Sequence, residues 1–200
     1  MWKLLLAVAA VAVMAMPVVS SAQLQLGARL GYGFAMGEVV ADVDQADIAK
    51  AQIPIQIDLN YKFSPNLSLG GYFSYAFGTL GDDYSDACDA LDVDCSVSGM
   101  RLGIQLNYEF SPGASFNPWA GVATGYEWLS VEEDGESASF TGWEYLTLQV
   151  GADWEMSKGF GLGPFLSWGI GQYGSFEDID IDDKGTHQLV QIGVRGIFSF

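Results

Sequence analysis

The chain has little positive charge: eight Lys and Arg stand against 25 Asp and Glu, for a formal net charge of −17. Without a basic patch to neutralise phosphates, nucleic acid is excluded as a partner. It has two cysteines and a single histidine, so metal ligation by these residue types is weakly supported. Past the first two dozen residues no stretch approaches the length of an apolar helical span, which excludes a helical membrane protein there. The three-to-four spacing of an amphipathic helix is missing as well, and with it helical repeats and solenoids.

What is present begins at the N-terminus. Met1-Trp2-Lys3 is followed by an apolar run over residues 4–19 and by Ser20-Ser21-Ala22, small residues where a signal peptidase reads. This pattern predicts a secretory signal peptide over residues 1–22, cut before Gln23. No cysteine follows the cut, so a lipoprotein anchor is not expected. Residues 23–200 are enough for one domain.

Mean hydropathy is +0.20 and half of the residues are hydrophobic, which conflicts with the acidic balance unless the two kinds are segregated. They are: windows 38–47, 82–94, 132–136 and 177–183 hold four, six, four and five carboxylates. These windows are expected to be loops, open to divalent or basic partners.

Between them runs a two-residue alternation. In residues 100–110, Met100, Leu102, Ile104, Leu106, Tyr108 and Phe110 alternate with Arg101, Gly103, Gln105, Asn107 and Glu109. A strand sends neighbours to opposite faces, so one face is greasy and the other polar. Alternation predicts eight strands near residues 24–34, 53–63, 67–77, 98–110, 119–128, 145–154, 161–173 and 188–200. Each is about the 9 to 11 residues that a tilted membrane strand needs. Connections alternate between short (Ser64-Pro65-Asn66, 111–118, Ser157-Lys158-Gly159) and long, the latter being the acidic windows. Tyr61-Lys62-Phe63-Ser64-Pro65 recurs as Tyr108-Glu109-Phe110-Ser111-Pro112, 47 residues on, and Trp154-Glu155-Met156-Ser157 follows. The repeating unit is a hairpin, and four of them close a sheet.

An all-β, eight-stranded antiparallel up-and-down barrel fits: lipid outside, a polar lumen inside, and no exposed edges. The chain resembles small outer-membrane proteins of the OmpA-transmembrane-domain and OmpX type. The signal peptide, the alternating strands and a last strand placing Val190, Ile192, Val194, Gly196, Phe198 and Phe200 on one face carry that resemblance. It implies a Gram-negative cell outer membrane, short turns and both termini on the periplasmic side, and acidic loops outside. It also implies that Phe198 and Phe200 form the signal read by the barrel assembly machinery. The peptidoglycan-binding domain of full-length OmpA does not follow the barrel, so a wall-tethering role is not carried over.

By parity the lumen receives Arg29, Asp58, Lys62, Arg101, Glu109, Glu127, Asp153 and Arg195, with Gln56, Gln105, Asn107, Gln149 and Gln191 between them. An eight-stranded barrel is just wide enough for side chains to fill, so these groups are expected to seal it as an ion-pair network. A narrow porin-like passage for ions or small solutes is the alternative. Aromatic residues near the strand ends read as interfacial girdles; for Trp143 and Tyr145 a sugar platform is the less favoured reading. Cys88 and Cys95 are expected to pair in a loop disulfide.

The acidic runs 89–94 and 178–183 lack the spacing of an EF-hand loop. They suggest at most loosely held divalent cations bridging to outer-membrane lipids. No cofactor, dedicated metal or catalytic residue is expected. A lipid-modifying enzyme centred on His187 is the third reading, but the serine that lipid A deacylases place two residues on is Leu189 here. Parity further expects a charge at Ile104 to impair assembly and one at Gln105 to be tolerated.

Overall fold

The computed structural model describes residues 23–41, 43–177 and 179–200. The signal-peptide expectation lies outside the described residues. Eight long strands form the wall: β1 (Gln23–Val40), β3 (Ala49–Lys62), β4 (Leu67–Leu80), β5 (Cys95–Glu109), β6 (Phe116–Glu133), β7 (Glu136–Ser157), β8 (Phe160–Phe176) and β10 (His187–Ser199). Each pairs antiparallel with its sequence neighbour, and β10 pairs with both β8 and β1, which closes the ring. Two-residue strands β2 (Val43–Asp44) and β9 (Ile179–Asp180) extend β1 and β8 within the connections. Among the described residues no helix is long and apolar enough to cross a membrane, so any crossing is by strands.

Burial is inverted relative to a water-soluble sheet. On adjacent positions Leu30 is 57% exposed and Arg29 4%, while Ile104 is 59% exposed and Gln105 2%. Greasy side chains therefore face out and polar ones in, an arrangement stable only with hydrocarbon around the wall.

Outward aromatics collect in two belts. Tyr32–Phe34, Tyr75–Phe77 and Tyr126–Trp128 pair at 4.9, 5.1 and 4.8 Å near the end that carries the long connections. Tyr108–Phe110, Phe116–Trp154 and Phe160–Phe198 pair at 5.1, 5.1 and 4.5 Å near the opposite, turn end. On β6 the belts fall at Phe116 and Tyr126. That separation is about 33 Å along a strand and about 25 Å across the bilayer once tilted by ~40°, the height of an apolar band.

The acidic windows are not uniformly loops. Window 82–94 holds helix α2 (Asp82–Leu91), and window 38–47 holds the end of β1, β2 and most of the four-residue helix α1 (Gln45–Ile48). In window 132–136 the β6–β7 ladder runs to Glu133↔Glu136 and turns on Asp134 and Gly135 alone. Both turn residues have positive φ, 49° and 85°, the primed two-residue turn that matches strand twist and that a Gly at the second position permits. Strands outrun the bilayer because backbone pairing costs nothing in water; only the outward apolar residues stop at the belts.

At the end with the long connections an apolar cap closes over the wall. Val39, Ala49, Val97, Leu129 and Tyr173 are buried together, with Ile48, Leu80, Phe140 and Ile181 packed on them.

Candidate functional site

The polar interior is built in tiers. Nearest the turn end, the Glu109 carboxylate accepts from Lys62 Nζ at 2.8 Å, Asn117 Nδ2 at 2.8 Å and Gln25 Nε2 at 3.2 Å. Outside this tier lies an open polar vestibule of about 240 Å³ that Asp153 and Ser199 also line.

The next tier is stacked. Arg195 pairs with Asp153, its Nε 3.3 Å from Oδ1, and its guanidinium carbon lies 3.6 Å from the Trp119 ring centroid. Arg29 approaches the same ring at 5.4 Å and Phe165 at 5.5 Å. Its Nε donates to Asp58 at 2.7 Å, Nη1 to Gln149 Oε1 at 2.6 Å and Nη2 to Gln105 Oε1 at 3.0 Å. Gln105 passes the chain to Asn60 at 3.0 Å, Gln149 donates to Asn107 at 3.0 Å, and Gln56 holds the second Asp58 oxygen at 2.7 Å. A buried guanidinium is tolerated when its donors are this well spent, and the aromatic faces add attraction.

Toward the cap, Arg101 Nη1 lies 3.5 Å from Glu144 Oε2, which also accepts from the Tyr72 hydroxyl at 3.3 Å. His187 Nε2 meets Glu127 Oε1 at 2.5 Å, and its ring stacks on Tyr173 at 4.3 Å.

The sequence pattern of the family described as outer membrane protein beta-barrel domain matches residues 4–198. The chain belongs to that family. Its place is therefore the cell outer membrane, where the two aromatic belts and the inverted burial belong.

No curated protein matches the chain in sequence. Among solved structures, a major outer membrane protein from Thermus thermophilus aligns with a TM-score of 0.58 at 14% identity, covering 90% of this chain and all of that one. Neisserial surface protein A (NspA) gives 0.55 at 12%, with 87% and 95% covered. The outer membrane protein OprG from Pseudomonas aeruginosa gives 0.51 at 8%, with 90% and 96% covered. At such identities the likeness is one of fold.

Within this outer-membrane barrel all eight charged residues assigned inward by parity are buried, and they split among the tiers rather than forming one network. Gln105, expected to accept a charge, is fully buried against Arg29, so a second cation there would meet a guanidinium. Cys88 and Cys95 are joined as a disulfide that ties α2 to the start of β5. Phe198 stacks on Phe160, and the Phe200 amide bonds the Leu24 carbonyl at 2.9 Å where the ends of the chain meet.

Neither Ser167 nor Ser175 is bonded to His187: Ser167 donates to Gln191, and Ser175 pairs with Thr141. Trp143 and Tyr145, both 57% exposed, lie on the outer wall, and the Tyr145 hydroxyl donates to Gln172 at 3.1 Å. Among the described residues no group of three His, Cys, Asp or Glu side chains is placed to hold a metal.

Sequence reasoning missed Glu144 and the interior aromatics. The β6–β7 and β7–β8 registers shift between Glu144 and Thr147, the mark of a β-bulge. Tyr145 and Leu146 both point outward while Glu144 and Thr147 both point in and touch, and Thr124 Oγ1 donates to the Glu144 carbonyl at 2.8 Å. The adjacent apolar pair Tyr145-Leu146 was the available signal. Tyr72, Trp119, Phe165 and Tyr173 lie inside by parity, though hydrophobicity alone argues for the outside.

Proposed function

We propose that this protein is a non-enzymatic, non-conducting outer-membrane barrel, with a structural and surface-interaction role carried by acidic, disulfide-stapled loops outside the cell. The observation that carries this reading is the Asp153–Arg195–Trp119–Arg29–Asp58 stack, whose groups come from β7, β10, β6, β1 and β3 and meet across the interior. Ion transit along the axis requires breaking those buried pairs. The apolar cap above them supports the same reading. After export on a signal peptide spanning residues 1–22, the barrel would be inserted by the assembly machinery with its turn end inward. Its acidic crown would attract divalent cations diffusely and through them anionic lipid headgroups.

The test is conductance of the purified protein in planar bilayers. The wild type should give no sustained discrete steps, and an Arg29→Ala/Arg195→Ala variant that remains folded should conduct. Sustained steps from the wild type would overturn the plug.

A second reading, a small passive channel, is favoured by the open vestibule of about 240 Å³ at the turn end. It requires the stack to part, and the same recordings over a range of voltage decide it.

A further inference from the structure

The outer wall is furrowed along β6. There the outward residues Val122 and Thr124 are small, while Ile104 and Leu106 stand beside them on β5 and Tyr145 and Leu146 on β7. The bulge raises the β7 bank, because it turns two successive side chains outward. The hollow measures about 250 Å³. The Thr124 hydroxyl at its floor is spent on the Glu144 carbonyl at 2.8 Å, and the Tyr145 hydroxyl on Gln172 at 3.1 Å, so the furrow offers hydrocarbon alone. Tyr126 of the outer belt heads it. Val122 lies four residues below, about 13 Å along the strand and about 10 Å in depth, less than half of an apolar band about 25 Å tall. The furrow therefore belongs to the outer leaflet.

Polar groups gather at its head. Trp143 packs edge to face on Tyr126 at 5.3 Å, is 57% exposed, and stands opposite Gln172 in the β7–β8 register. The Tyr126 hydroxyl donates to Thr141 at 2.9 Å, and the Thr141 and Ser175 hydroxyls lie 2.7 Å apart, which makes a polar strip beside the indole. Beyond it is Lys184. Gln172 Nε2 donates to the Lys184 carbonyl at 3.4 Å, and a backbone bridge to Val40 fixes the same residue. The Lys184 ammonium stands 3.9 Å from where a Cβ on Gly174 would be. Lys50, the other described cation of this end, is bonded to Asp82; among the described residues Lys184 forms no ion pair.

We propose that this column binds one lipid of the outer leaflet, a phosphorylated glycolipid of the lipid A class: an acyl chain in the furrow, a sugar ring on Trp143 and the hydroxyl strip, and a phosphate on Lys184. Each part matches a different chemistry. The furrow opens onto lipid chains. The C–H groups of a pyranose carry slight positive charge and lie on the negative face of an indole. A phosphate oxygen accepts a charge-assisted bond from an ammonium. A phospholipid offers the chain and the phosphate but no ring for Trp143. The site is distinct from the diffuse attraction of the acidic crown, which works only through divalent cations, and it stands whether or not the lumen conducts.

The experiment uses the barrel in zwitterionic detergent micelles with a chelator present, so that divalent bridging is removed. Bisphosphorylated lipid A is titrated in and followed by methyl and indole NMR signals, with native mass spectrometry counting the lipid retained. One equivalent should be held at saturation, with shifts at Val122, Leu146 and Trp143 and none at Leu30 on the opposite wall. Lys184→Gln should weaken binding about fivefold, the worth of one basic residue at an anionic surface. Trp143→Ala, which removes the platform, and Val122→Phe, which fills the furrow, should each weaken it as well. Shifts that rise without saturating overturn the site, as does equal affinity for phosphatidylglycerol of matched chain length, or wild-type affinity in Lys184→Gln. Should Val122→Phe assemble poorly, Lys184→Gln decides, since Lys184 lies outside the wall strands.

Discussion

The Arg29 guanidinium shows how much one interior side chain can carry. Its Asp58 partner is 1% exposed, so truncation leaves a carboxylate with no cation and little water. Arg29→Ala should cost about 3–5 kcal/mol of folding free energy in detergent micelles, the range for a buried pair broken from one side. Arg29→Met combined with Asp58→Leu should recover most of it, since removing both charges removes the desolvation they impose. Urea unfolding followed by tryptophan fluorescence measures both, and equal losses in the single and double variants would contradict the pairing. The outer face obeys the opposite rule. Ile104→Arg should cost about 2–4 kcal/mol at midplane depth and lower the yield of folded barrel in the outer membrane. Gln105→Arg, one residue on, should also destabilise, but by repulsion from Arg29 rather than by lipid.

At the scale of elements, the wall and its crown behave as separate pieces. α2 packs little apolar surface, and its disulfide encloses a short loop, so Cys88–Cys95 contributes about 2–3 kcal/mol of local order by restricting the open chain. Reduction should speed cleavage of residues 82–94 by a protease specific for acidic residues, with the wall strands still resistant. Unchanged cleavage after reduction would mean that the crown is held by something else. The bulge in β7 is the other element-level device. An extra residue at Tyr145 bends the strand and brings Glu144 and Thr147 to the same side, which aims a second carboxylate at Arg101, beside the Glu127 that lies opposite it on β6. The expectation of eight strands held because their outward faces are continuous. The expectation that every acidic window is a loop did not, because ladders and helices form in water wherever backbone partners are present.

For the whole molecule, closure is what turns eight marginal strands into a wall, and it happens where β1 meets β10 through thirteen registered positions. Phe200 lies just beyond that seam, 73% exposed, with no interior contact to lose. Deleting it should leave the folded barrel nearly as stable as the wild type and yet lower the amount inserted in cells, read as heat-modifiable barrel in the outer-membrane fraction. Undiminished insertion would count against a terminal assembly signal.

The sequence by itself determined the fold class, the membrane it belongs to and which face of each strand meets lipid, because those depend on a period of two and on backbone groups that hydrocarbon cannot satisfy. Only the tertiary structure decided which charges meet. Arg29 reaches Gln149 across 120 residues of chain, and His187 finds Glu127 from a strand that is not its neighbour in the wall. Such pairings follow from strand register and barrel curvature, quantities that no local pattern of side chains encodes.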